Sequence, residues 1–193
     1  MTRRGLLLGA LAVSLAASSV HASTVISLSI EDQARLSKLV VVGEVVRLKG
    51  IDHPEHGIET AVTLEVVDVL QGETAHGDTV VFHTREGEVD GVVSEAVGEV
   101  RFRLGQKALV FIEDVEGRLY NVGLSTGVWN VQERDGGVVG FTRALTDGLE
   151  VVGEEPLELG PIPYRDMSSR VAWASRHPQF DNPMLREQRA QGR

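Results

Sequence analysis

Apolar positions along this chain fall into three textures. Gly5 through Val20 is a run without a single charge. From Leu39 to Phe141, short stretches dense in valine alternate with glycine-rich turns. From Met167 onward, apolar residues recur at helical spacing.

The middle texture predicts strands. Leu39 to Leu48 is rich in β-branched residues, with Gly43 marking a bulge or bend. Thr60 to Leu70 alternates, so Val62, Leu64 and Val66 share one face while Thr63, Glu65 and Val67 share the other. Between them, Asp52 to Gly57 reads as a polar loop. Thr79 to His83 and Lys107 to Ile112 read as further strands, and the stretch through Val100 and Phe102 is less regular. Glu116-Gly117 joins Lys107–Ile112 to Arg118–Val122 as a two-residue hairpin. Asp135-Gly136-Gly137 joins Gly127–Gln132 to Val138–Phe141 as a second. Six to eight short antiparallel strands and 21 glycines predict a mainly β domain, an OB-like barrel or a sandwich.

Helices are expected only at the ends of this unit. Ser29-Ile30-Glu31-Asp32 forms a capped start, with the Ser29 hydroxyl accepting from the Asp32 amide and the Asp32 carboxylate reaching back. That helix should run to about Lys38. Asp166 is placed to cap a second one, Met167 to Arg176, which stops before Pro178 and puts Met167, Val171 and Ala174 on one face.

The uncharged run near the start has a different meaning. Arg3 and Arg4 precede it, and Val20-His21-Ala22 places small residues where a signal peptidase reads. Residues 1–22 are therefore expected to be a cleaved signal peptide, with Ser23 first in the mature chain. A membrane span needs about 20 apolar residues, more than this Ala- and Ser-rich run offers. The mature protein is expected in the periplasm or outside the cell, with no membrane span. The two arginines also resemble a twin-arginine export signal, so the route stays open. The resulting divisions are 1–22, a barrel domain over 23–160, a helical extension over 161–182 and a disordered tail over 183–193.

Charge narrows the partners. Cleavage removes two arginines and no acid, so the formal charge of −9 becomes −11. Residues 161–193 hold six arginines against three acids (+3), which leaves −14 on residues 23–160. Such a surface repels phosphate backbones and argues against nucleic acid, while favouring cationic partners or metal ions. The chain has no cysteine. Thiol catalysis, thiolate metal sites and disulfide stapling are excluded, and the fold must rest on buried apolar area.

The order of segments resembles the netrin-like module, an OB-fold-like barrel also found in tissue inhibitors of metalloproteinases. The resemblance covers about residues 38–131. It rests on a helix, then LVVVGEVV, a strand ending VDVLQG, a glycine-rich excursion and GQKALVFI, with Gly43, Gly72 and Gly105 to Val110 in the matching places. It implies a binding scaffold. It does not carry the family's inhibitory chemistry, which needs an N-terminal cysteine where this chain has Ser23 and no cysteine at all.

Four constellations could carry chemistry. Gly123-Leu124-Ser125-Thr126-Gly127 matches the nucleophile-elbow pattern, but a strand-like VWNV follows Ser125 where a helix is required, so it reads as a turn. His53 and His56, with His76 or His83, are candidates for zinc, although Pro54 prevents the helix that would align the first pair. Glu86, Glu88 and Asp90 alternate ahead of Gly91 like the start of a calcium loop. The twelfth position, where calcium needs a bidentate glutamate, is Val97. Phe111, Tyr120 and Trp129 are expected in the core, with Tyr120 and Trp129 as a ligand platform if their faces point outward.

No catalytic residue or obligatory cofactor is assigned, with zinc and calcium as the metal alternatives. The leading expectation is an exported, non-enzymatic binding or interaction module for a protein or small ligand. The alternatives are an exported hydrolase using Ser125 or a His/carboxylate metal site, and a calcium-stabilised structural protein.

Overall fold

A computed structural model describes residues 23–153 and 156–179. The expected signal peptide and the tail from residue 183 lie outside them. In chain order the elements are β1 (Ser23–Ile26), α1 (Ile30–Leu36), β2 (Leu39–His53), β3 (Gly57–Gln71), β4 (Thr79–Thr84), β5 (Gly87–Val89) and β6 (Val92–Ser94). Then follow β7 (Lys107–Val115), β8 (Arg118–Asn121), a 3-10 turn (Leu124–Gly127), β9 (Val128–Arg134), β10 (Gly137–Arg143), β11 (Leu149–Val152), β12 (Ile162–Pro163) and α2 (Tyr164–Arg176). The described residues thus hold twelve strands, more than the six to eight expected. The extra ones have two to four residues, too short to show alternation.

Two long strands organise the sheet. β2 and β3 pair antiparallel from Val40↔Gln71 to His53↔Gly57, so the expected loop over 52–57 shrinks to a tight turn. Their register shifts between Val42 and Gly43, where a Cβ would lie 2.9 Å from the Glu65 carbonyl oxygen. The bend foreseen at Gly43 is therefore a bulge that brings two backbones close. Gly72 ends this pair at φ +100°, a left-handed conformation, and a Cβ there would sit 2.4 Å from the Leu39 side chain.

β7 ties the sheet into a ring. One edge pairs with β2 over Leu39↔Ile112 to Glu44↔Lys107. The other edge is divided, with residues 108–110 pairing β9 and residues 112–115 pairing β8. β3 pairs β4, and β4 meets β8 in parallel through one residue pair, His83↔Tyr120. The circuit β2-β3-β4-β8-β7 is thus ring-like rather than a closed barrel, because one bridge forms its last seam. The β4–β8 and β1–β11 pairings are parallel, a departure from the antiparallel expectation.

Hydrophobic burial explains why β2 and β7 read as unbroken apolar runs: both are covered on both faces. Leu39, Val41 and Val45 with Ala108, Val110 and Ile112 point into the ring, where they meet Val62, Leu64, Val66, Phe82, Val100 and Phe102. Val40, Val42, Leu109 and Phe111 point the other way, against Ile30 and Ala34 of α1, Met167, Val171 and Ala174 of α2, and Trp129 and Phe141. Val100 and Phe102 lie outside any strand yet plug the ring, with Phe102 edge-on to Phe82 at 5.4 Å.

Local signals behaved as their chemistry requires. The Asp32 amide donates to Ser29 Oγ at 3.0 Å, and the Asp32 carboxylate accepts from Arg35 at 2.9 Å. α1 ends two residues before the expected Lys38. Both foreseen hairpins form, with Glu116-Gly117 and Asp135-Gly136 at positive φ. α2 starts at Tyr164 behind Pro163, so Asp166 lies in the first turn instead of at the cap, where its charge still suits the helix dipole. Among the described residues no helix is long and apolar enough to cross a membrane.

Candidate functional site

Residues 95–106 cross one end of the ring without forming a strand. Their side chains alternate all the same: Val100 and Phe102 turn inward while Arg101 and Arg103 face solvent. Gly98, at φ +87°, turns the chain as the Glu99 amide bonds the Ala96 carbonyl at 3.0 Å. At the far end, the Gly105 amide donates to the Val45 carbonyl at 2.8 Å and the Val45 amide to Gln106 at 2.9 Å. Opposite this segment, residues 144–147 follow β10, anchored by the Ala144 amide on the Val128 carbonyl at 2.9 Å.

Between the two lies a cleft of about 950 Å³, lined among others by Glu95, Glu99, Arg103, Leu104, Leu145 and Thr146. A smaller cleft of about 430 Å³ beside the β5–β6 hairpin shares Glu86, Val100 and Arg101 with it. Arg101 divides the two, held by Glu95 at 2.6 Å and Glu86 at 3.4 Å.

Glu99 is the unusual group. It is 3% exposed, and it makes no ion pair with any described residue. Its Oε1 accepts from Asn121 Nδ2 at 2.7 Å and the Val100 amide at 3.2 Å, and its Oε2 accepts from the Arg85 amide at 3.1 Å. Burial pushes the Glu99 carboxyl above its ordinary range, with the Asn121 bond opposing. Glu86 is also raised by burial, against its bond to Arg101.

A raised carboxyl stabilises the fold below the unfolded-state pKa, and that contribution is lost as pH rises through the folded-state value. Protonation of Glu99 as pH falls through its raised value should therefore add stability until the ordinary carboxylate range is reached. Glu99→Gln removes that pH-dependent contribution and sets an amide against three N–H donors, a loss of about 1–3 kcal/mol. Thermal melts of both proteins across acid and neutral pH should show the wild-type advantage growing as pH falls. A constant difference would refute the linkage.

The sequence candidates are placed elsewhere. His53 and His56 stack at 4.5 Å in the β2–β3 turn, and His53 Nδ1 accepts from the Glu55 amide at 3.2 Å. His76 Nδ1 lies 2.8 Å from the Val67 carbonyl. His83, on β4, is held below its ordinary pKa by burial, with its Nδ1 3.3 Å from the Leu119 carbonyl. Among the described residues, no three His, Asp or Glu side chains are grouped closely enough to hold a metal ion.

The acidic run is not a loop but the β5–β6 hairpin, turned by Asp90 at φ +50° and Gly91 at +79°. Glu86 goes to Arg101, Glu88 lies opposite Val93, and Asp90 occupies the turn. Ser125 is fully buried in the 3-10 turn, its amide on the Gly98 carbonyl at 3.0 Å and its Oγ 3.4 Å from Thr146 Oγ1. β9 follows it, so the strand–turn–helix geometry of a nucleophile elbow is not formed. Phe111, Tyr120 and Trp129 are all buried, which removes Tyr120 and Trp129 as an exposed platform.

No family model matches the chain, and no curated protein matches it.

Proposed function

We propose that the chain is an exported, non-enzymatic binding module whose ligand, a protein segment or a small molecule, occupies the cleft between residues 95–106 and 144–147. The observation that carries this reading is the cleft itself. It is about 950 Å³, within the range of small-molecule sites, and combines exposed Leu104 and Leu145 with a few polar groups and a buried carboxylate. We read the ring of five strands with its helix-covered outer face as an OB-like, netrin-like scaffold, with loops at one end of the ring holding the ligand. Export rests on the charged start, the uncharged run and the Val20-His21-Ala22 site.

Three measurements test it. N-terminal sequencing of the exported chain should begin at Ser23. A fragment screen on the ¹⁵N-labelled mature chain should move the amides of Gly98, Leu104, Gln106, Asn130 and Thr146 as a group. Scattered shifts, or hits centred on another surface, would count against the cleft. Melting with EDTA and then with zinc or calcium should leave the midpoint in place. A metal bound only to the folded form at 100 times its dissociation constant adds about 2.7 kcal/mol, so a rise of several degrees would overturn the metal-free reading.

A further inference from the structure

We infer that the cleft recognises an organic cation, a primary ammonium or guanidinium on an aliphatic stem, with its charge on Glu99 and its stem along Leu104 and Leu145. The inference rests on the binding-module reading above and specifies the chemistry of that same cleft.

A buried carboxylate is costly unless a cation meets it, and Glu99 makes no ion pair among the described residues, feeling a cation only through the more distant charge of Arg85. Its acceptor capacity is also not fully spent. An ionised carboxylate offers about four lone-pair sites, and Glu99 uses three: two on Oε1 and one on Oε2. Beside it, Asn121 Oδ1 is buried with no partner. The Asn121 amide is fixed in that orientation, since its nitrogen donates both to Glu99 and to the Leu124 carbonyl at 2.7 Å. Of the two, Glu99 lines the cleft with one acceptor position to spare, and an ammonium brings three N–H donors to it.

The surroundings favour the same sign. Glu86, Glu95, Glu99 and Asp147 line the cleft against Arg101 and Arg103, a net −2. Arg101 is engaged by Glu95 and Glu86, and Arg103 is exposed. The wider body, residues 23–160, carries −14 and draws cations toward it. A bare metal ion fits less well, because zinc and calcium need three or more protein ligands together, and the described residues group no three. The apolar part of the wall supplies the rest: Leu104 is 67% exposed and Leu145 41%, a surface that an alkyl stem would cover.

The test uses the ¹⁵N-labelled mature chain, residues 23–193, titrated at fixed ionic strength with n-butylamine, n-butanol and butyrate. Butylamine should move the amides of Gly98, Glu99, Val100, Gln106 and Thr146, and butyrate should not. Glu99→Gln should weaken butylamine about tenfold, the weight of one charge-assisted hydrogen bond. Leu104→Arg, at an exposed position that cannot disturb the core, should weaken it too and decides the matter if Glu99→Gln fails to fold. Shifts that persist undiminished in both variants would overturn the inference. If butanol moves those amides as strongly as butylamine, the binding module stands and the cation does not. If no probe moves them, both fall. Nα-acetyl-lysine N-methylamide separates the sources: tighter binding than butylamine assigns a polypeptide side chain, and weaker binding a free amine, each in support of the cation.

Discussion

Replacing Trp129 by alanine is expected to lower stability by about 3–5 kcal/mol, the range for deleting a buried aromatic. Trp129 is fully buried at the start of β9 and packs in the layer between the sheet and the two helices. It also carries a charge on its face. The Arg143 guanidinium lies 4.1 Å from the ring centroid, buried enough that desolvation lowers its pKa to about 9. Alanine at 129 would leave a cavity and strip that buried cation of its aromatic neighbour, so the two costs add. Trp129→Phe separates them. The indole N–H has no partner among the described residues, so its loss breaks no hydrogen bond, and phenylalanine keeps most of the apolar volume. Urea unfolding should therefore place Trp129→Phe within about 2 kcal/mol of wild type. An alanine variant within about 1 kcal/mol would mean that β9 does not anchor the helix-side core.

What the sequence disclosed about this fold follows from the length over which each signal was repeated. β2, β3 and β7 are 15, 15 and 9 residues long, and their β-branched runs or alternation had room to declare themselves. Both two-residue hairpins were legible because Glu-Gly and Asp-Gly supply positive φ directly. The same Asp-Gly chemistry at Asp90-Gly91 is masked, since its flanking strands have three residues each and the row of acids reads as a solvated loop. The ring could not be read at all. Its seam is one long-range bridge, His83↔Tyr120, which leaves no local trace.

The cleft was hidden for a related reason. Glu99 sits in a segment with no secondary structure, and its burial depends on Asn121 and the Arg85 amide arriving from other parts of the chain. The alternation of Val100 and Phe102 with Arg101 and Arg103 was the one available signal, and it marks inward and outward faces, not the depth of Glu99. Ser125 fits a motif, and the histidines are of a metal-ligating type. Motifs specify residue types, whereas a site needs groups that converge, and the fold disperses these.

Glu59→Ala should be about as damaging as the loss of Trp129, for an electrostatic reason. Glu59 is 2% exposed on β3, and β8 brings it two donors: the Tyr120 hydroxyl at 2.7 Å and the Arg118 guanidinium. Arg118 Nε also donates to the Tyr120 oxygen at 3.1 Å, so the three side chains form a closed set. They span β3 and β8, on either side of the β4–β8 bridge that completes the ring. Removing one partner of a buried pair strands the other charge, which costs about 3–5 kcal/mol. Arg118 is partly exposed and water recovers some of that loss, so about 3 kcal/mol is expected. Glu59→Gln keeps an acceptor for Tyr120 while deleting the charge, and should fall between alanine and wild type. If the seam depends on this set, amide exchange at His83 and Tyr120 should accelerate in Glu59→Ala before exchange in the β2–β3 pair does. Uniform acceleration across the sheet would instead show that the ring opens only with global unfolding, and the seam would then have no independent stability.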